Sequence, residues 1–232
     1  MSENKPPTSE RLPKITVESA MTITQVYLGL AAGGDRDGWE EYMQNRNFMF
    51  ALDIVRRLGG RPEDYSLLDV GCGSGKLAIE WAKLGGTQYT GIDLLEPDNE
   101  AFKALCASHP GFSFVHGEFT RADIELFDIV IASGSLSIGA PRDKYAHFKA
   151  YLERMMVMAR QGIYVNYWEH SDEVDGFTGF LGYESDRIDK IVQRMMKKRG
   201  FQTYDRGSDT YKGQKVDQVQ HHMYIQRGSA LV

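Results

Sequence analysis

The sequence predicts an α/β fold: a doubly wound, mostly parallel seven-stranded sheet with helices on both faces, an antiparallel last strand and an N-terminal helical cap. Three observations carry this expectation. The stretch Leu67-Leu68-Asp69-Val70-Gly71-Cys72-Gly73-Ser74-Gly75-Lys76-Leu77 runs from an apolar strand through three glycines into a helical pattern with Leu77, Trp81 and Leu84 on one face. Apolar runs of strand length then alternate with helical segments, the order that builds parallel βαβ units. Two closing strands joined by a short loop supply the antiparallel edge.

Residues 1–15 hold Pro6, Pro7 and Pro13 among charged and small polar residues and read as a flexible tail. A helical cap is expected over 16–60. Apolar residues return from Ile15 to Leu30, and Gly33-Gly34-Asp35-Arg36-Asp37-Gly38 breaks the chain. Phe48, Ala51, Leu52, Val55 and Leu58 then recur at helical spacing as far as Gly59-Gly60-Arg61-Pro62. The break gives residues 15–45 the character of a lid that must move to admit a buried ligand. The main domain is expected over 61–232, with strands near 67–70, 89–93, 112–116, 127–132, 162–168, 201–204 and 219–226. Helices are expected near 98–108, 143–159 and 185–199. Met155, Met156 and Met158 read as filler of an irregular core.

The 232 residues suit one α/β domain with additions better than two domains. A balance of 27 Lys+Arg against 32 Asp+Glu leaves a net charge of -5, with no basic block long enough to track a phosphate backbone, so nucleic acid is not expected as a partner. The two cysteines, Cys72 and Cys106, suggest neither a disulfide framework nor a metal cluster and point to a reducing cytoplasm. No apolar run reaches membrane-spanning length, so no membrane association is expected. A monomer or homodimer is anticipated.

The glycine turn fails the tests for two familiar phosphate loops. A P-loop needs four residues before its Gly-Lys-Ser/Thr, whereas three separate Gly71 from Gly75 and Leu77 follows Lys76. The dinucleotide fingerprint needs a third glycine where Lys76 stands. What remains is D-x-G-x-G-x-G followed by the strand Tyr89-Thr90-Gly91-Ile92-Asp93, whose acid lies roughly 20 residues beyond the glycines, where this architecture takes a ribose's hydroxyls. With LDVGCGSG and GID as its hallmark pair, the sequence resembles the class I S-adenosylmethionine-dependent methyltransferases. The likeness covers about residues 37 to 227 and is strongest between 66 and 134.

The resemblance implies S-adenosylmethionine as methyl donor, S-adenosylhomocysteine as its product and no metal. It brings Asp69, Gly71, Cys72, Gly73 and Gly75 to the methionine end, with Cys72 as a small packing residue and Lys76 either solvated or paired with the donor's carboxylate. Asp93 is expected on the ribose diol and Leu94 on the adenine face. Glu118, where the family usually has Asp, is expected at the adenine amino group, and the Phe119 N–H at the ring. Arg46 and Gln44 resemble polar positions that meet the donor's carboxylate. Ser133 and Ser135 either shape the pocket or ease the turn. The Asn/Asp-Pro-Pro-Tyr/Phe signature of enzymes that methylate DNA amino groups or a protein glutamine is missing from Ala132-Ser133-Gly134-Ser135, which argues against such acceptors.

The expected acceptor is therefore a small organic molecule, methylated on nitrogen, oxygen or carboxylate in an aromatic-walled pocket. Tyr27, Trp39, Tyr42, Tyr167 and Trp168 are its candidate walls, with Phe177, Phe180 and Tyr183 nearby in sequence. Displacement at a sulfonium can proceed by positioning alone. If a base is used, His170, just past the fifth strand, is the first candidate. His116, His147, His221 and His222 are weaker, and no histidine sits in a recognisable base–orienter pair. No metal-ligand spacing occurs. Methylation of protein or RNA, aminopropyl transfer, and a catalytically silent partner subunit are the alternatives.

Overall fold

The computed structural model describes residue 25 and residues 41–138, 144–171, 181–211 and 218–228. The expected tail, the cap and lid ahead of residue 41, and Tyr27, Trp39, Phe177 and Phe180 lie outside the described residues. So does the side chain of Tyr42.

The chain order is α1 (Glu41–Leu58), β1 (Ser66–Val70), α2 (Lys76–Lys83), β2 (Gln88–Asp93), α3 (Glu100–Ser108), β3 (Phe112–His116), β4 (Phe127–Ala132) and α4 (Lys144–Met158). It continues through β5 (Ala159–Glu169), β6 (Gly182–Tyr183), α5 (Ser185–Arg199), β7 (Phe201–Tyr211) and β8 (Gln218–Arg227). The sheet has eight strands in the order β3-β2-β1-β4-β5-β8-β7, with β6 attached to β5. Neighbours among β1 to β6 pair in parallel, and β8 runs antiparallel to both β5 and β7. The doubly wound, mostly parallel sheet is thus the observed fold, with one strand more than the expected seven. That extra strand is two residues long, too short to show a period.

Strand alternation divides the core between two faces. Leu67, Ile129, Ile131, Tyr164 and Tyr224 pack with Ala51, Ile54 and Val55 of α1, Leu77 and Trp81 of α2 and Phe102 of α3. On the other face Leu68, Val70, Val130, Val165 and Met223 pack with Phe148 and Met155 of α4 and Ile188 and Val192 of α5. Met155, Met156 and Met158 are all fully buried there. The helix α1, grouped in the sequence reading with the cap, shares the first of these cores. The strand β7 extends to Tyr211, well past the expected end near 204. It lies at the sheet's edge, and Asp205, Ser208 and Thr210 break up any apolar run along it. Among the described residues, no helix is long and apolar enough to cross a membrane.

Candidate active site

The glycine turn is tied to the end of β2. The N–H groups of Gly71 and Cys72 both donate to the Ile92 carbonyl, at 2.8 and 3.2 Å. Asp93, the next residue, accepts the Gly73 N–H on Oδ2 at 2.9 Å and the Leu95 N–H on Oδ1 at 3.0 Å. One carboxylate thereby holds the turn and the start of the following loop in register. Gly71, Gly73 and Gly75 have φ of 72°, 55° and 78°, the left-handed region that favours glycine. A Cβ on Gly71 would lie 2.4 Å from that of Ser135, and one on Gly75 would lie 2.1 Å from the Phe102 ring. Gly75 is therefore required by the packing of α3 against the turn.

Asp69 is 3% exposed. Its Oδ2 accepts the Tyr89 hydroxyl at 2.6 Å, a partner across the strand pair and not within the glycine turn. Burial raises the Asp69 carboxyl to about 7; the Tyr89 hydrogen bond opposes the rise and the charge of Asp93 adds to it. A folded pKa above the ordinary value of 3.8 means that the native state binds the extra proton. The resulting stability is fully present below about pH 4 and is lost as pH climbs through about 7. In urea melts of the ligand-free protein, the pH 5 to pH 8 loss of stability should be smaller in Asp69→Asn than in the wild type. An identical loss in both proteins would refute this account.

Two depressions meet at Gly71, which lines both. The first is polar, with Gln44, Asn47, Asp69, Ser74, Lys76 and Ser133 on its walls. The second has more apolar side chains in its lining, Ile92, Leu94, Phe119 and Tyr151, together with Asp93 and Ser135. Together they form a groove across the carboxyl edge of β1, β2 and β4, where ligands bind in such sheets. Gln44, Asn47 and Phe48 lie at i, i+3 and i+4 on α1 and all line the polar half. The Lys76 ammonium donates to Gln44 Oε1 at 2.8 Å, bridging α2 to α1 over the turn.

Several expected site residues stand elsewhere. Arg46 is offset around α1 from Gln44, and its guanidinium pairs with Asp209 of β7 beside the Tyr211 ring. Its carboxylate partner is thus a side chain of the edge strand, and Gln44 and Asn47 hold the groove position. The Glu118 carboxylate turns back on its own loop, accepting the Thr120 N–H at 2.8 Å and the Thr120 hydroxyl at 2.6 Å, while Phe119 lines the apolar half. Cys72 and Ser133 line the polar half. Tyr167 and Trp168 are consecutive in a strand and so face opposite ways. Tyr167 is buried against Phe148 and Tyr183, whereas Trp168 meets Tyr211 on the α1 side; they do not wall one pocket.

His170 is exposed just beyond β5, its N–H donating to the Tyr183 carbonyl at 3.0 Å. Two other histidines do have orienting partners, contrary to the expectation that none would. His222 Nδ1 lies 2.7 Å from the Tyr164 hydroxyl, and His221 Nε2 meets the Glu169 carboxylate. Periodicity within one segment could not find these pairs, because they depend on how β8 registers against β5. The available signal was the row Gln220, His222 and Tyr224 at alternate positions of the strand, with Met223 and Ile225 on the other face. Among the described residues, no group of three His, Cys, Asp or Glu side chains could hold a metal ion.

Residues 67–158 match the family profile described as a methyltransferase domain. No curated protein sequence matches significantly. Among solved structures, the chain is similar to the 1,6-didemethyltoxoflavin-N1-methyltransferase of Burkholderia thailandensis, solved with 1,6-didemethyltoxoflavin and S-adenosylhomocysteine. Identity is 16%, coverage is 97% of this chain and 100% of that one, and the TM-score is 0.64. The N-methyltransferase NodS of Bradyrhizobium japonicum, solved with S-adenosylhomocysteine, gives 14% identity over 90% and 100% of the two chains at a TM-score of 0.60. The magnesium protoporphyrin IX methyltransferase of Synechocystis gives 16% over 90% and 82% at 0.53. At such identities these structures speak for the fold. The match marks a methyltransferase domain within the chain, and the sheet that carries it has the fold of these structures. The domain match supports a methyltransferase, and two of the similar structures hold S-adenosylhomocysteine, the demethylated form of S-adenosylmethionine.

Proposed function

We propose that this enzyme methylates a small organic molecule, with the donor lying along the groove that crosses Gly71. The observation that carries the reading is the meeting at that glycine of two half-pockets, one lined mostly by polar side chains and the other by Ile92, Leu94, Phe119 and Tyr151 around Asp93. S-adenosylmethionine supplies an electrophilic methyl group on a positively charged sulfur. Its parts differ in polarity in the same order as the groove. Leu94, Phe119 and Tyr151 suit the adenine, Asp93 the ribose diol, and Gln44, Lys76 and Ser133 the amino-acid end. A carboxylate offers about four acceptor positions, so the backbone bonds to Asp93 are compatible with the diol. Asp69, whose carboxyl sits near 7 when the groove holds no cation, is drawn toward ionisation by a positive ligand beside it.

The similar structures support a small acceptor, since two of them are methyltransferases of 1,6-didemethyltoxoflavin and of magnesium protoporphyrin IX. The test is calorimetry with S-adenosylhomocysteine followed by transfer of labelled methyl to a panel of small acceptors. Failure to bind the product would remove the reading. His170→Ala should leave turnover within about threefold of wild type, because an exposed side chain past the strand end is poorly placed to take a proton from a buried acceptor. A loss of about 100-fold with product affinity intact would instead make His170 the base.

A further inference from the structure

We propose that the acceptor is a flat, uncharged ring with carbonyl and N–H groups on its rim, bound by Asn166, Gln220 and His222 together with Asn47. This rests on the methyl-transfer reading above. The antiparallel register sets Asn166 opposite His222 and Trp168 opposite Gln220, so these side chains share the α1-facing side of β5 and β8. Asn166 and Gln220 are 0% exposed and His222 is 2% exposed. Even so, Asn166 Nδ2, Gln220 Nε2, His222 Nε2 and Asn47 Oδ1 have no hydrogen-bond partner. Buried polar atoms without partners are few in native proteins and call for an explanation, and a ligand that supplies the partners is one.

The cluster adjoins the donor groove. Ser133 and Asn47 line its polar half, and the N–H of Gly134, next to Ser133, donates to Asn166 Oδ1 at 2.6 Å. That bond also fixes the amide's orientation, leaving its NH2 as the group without a partner; the nitrogen lies beside the Tyr164 hydroxyl without satisfying hydrogen-bond geometry. Phe50, one turn along α1 from Asn47, lies against His222 with ring centroids 4.0 Å apart and the rings tilted by 34°, and Trp168 meets Tyr211 edge-on at 5.3 Å, so aromatic rings border the polar atoms.

The kinds of atom define the ligand. Two amide nitrogens donate and one amide oxygen accepts. The His222 Nε2 can do either, since a tyrosine hydroxyl can donate to or accept from Nδ1. A ring edge of mixed carbonyl and N–H groups meets that set; an alkyl chain does not. Charge is excluded on the same ground. Arg46 is matched by Asp209, and burial, with His221 and Arg46 nearby, lowers His222 to about 4, which leaves it neutral at neutral pH. Among the described residues, the face offers no uncompensated charge for a carboxylate or an ammonium. The side chains are closed to solvent, so admitting the ring requires this face to open.

The experiment uses the full chain, labelled S-adenosylmethionine and three probe sets: uncharged nitrogen heterocycles bearing ring carbonyls, aliphatic amines, and carboxylic acids. Calorimetry with S-adenosylhomocysteine comes first, because wild type that does not bind it fails the underlying methyltransferase reading and not the acceptor assignment. Given binding, methylation confined to the heterocycles is expected. Gln220→Met and His222→Phe should each lower kcat/KM for the best heterocycle by about 100-fold and leave product affinity within about twofold. Gln220→Met should also hold or raise the melting temperature, since the native glutamine nitrogen has no partner and its oxygen only the Tyr211 hydroxyl at 3.3 Å. Transfer to amines or acids, no transfer to any probe, retained kcat/KM in both variants, or a melting temperature several degrees lower in Gln220→Met would each overturn the assignment.

Discussion

Asp93→Ala should weaken binding of S-adenosylhomocysteine by at least about 100-fold, as two charge-assisted hydrogen bonds to a ribose diol are worth about 1.5–3 kcal/mol each. The structure adds a second route to the same loss. The carboxylate also holds the Gly73 and Leu95 N–H groups, so its removal loosens the turn that the donor must lie against. The two routes separate with Asp93→Asn, which keeps an acceptor for one backbone N–H but loses the charge and presents an NH2 group as well. Asn should recover part of the melting temperature lost in Ala and little of the affinity. Unchanged affinity in Asp93→Ala by calorimetry would remove the residue from the donor site.

Gly75→Ala should destabilise the fold by about 2–5 kcal/mol. Of this, about 1–2 comes from forcing an L-residue into left-handed backbone and about 1–3 from overpacking. The added methyl would lie 2.1 Å from the ring of Phe102, which is fully buried and has nowhere to retreat. Gly59→Ala is the control. Its φ is 79°, nearly that of Gly75, but nothing lies within 4 Å of the added atom, so the backbone part alone should appear. A double-mutant cycle with Phe102→Leu should recover the packing part and leave the backbone part. Equal losses at Gly59 and Gly75 in urea melts would show that the ring does not matter.

The fold and the donor groove were legible in the sequence where their chemistry is local. Three glycines between a strand and a helix, and an acid at the end of the next strand, specify a turn and a carboxylate with no knowledge of distant contacts. The reading of Gly75 was less complete, because the demand for a missing Cβ comes from Phe102 on the following helix. Helical periodicity marked the apolar face of α1 but not its rotation over the sheet, and so did not separate Gln44 from Arg46. Tyr167 and Trp168 could have been split by strand alternation alone. By contrast, Tyr164 and His222 are 58 residues apart, and only the pairing of β8 with β5 brings them together.

The late place of β8 in the chain sets the order in which the residues of the two sites emerge during synthesis. A nascent chain that has emerged as far as Glu169 already contains every residue named along the donor groove, from Gln44 to Tyr151. It lacks Gln220 and His222, which arrive later on a strand that must slot between β5 and β7. Because β8 runs against β5, these early residues of the strand come to rest at the same edge as the glycine turn. Translation thus supplies the groove's residues first and the histidine-bearing face last, and an intermediate paused between the two exposes the unpaired long edge of β5, the kind of edge that invites association with other chains.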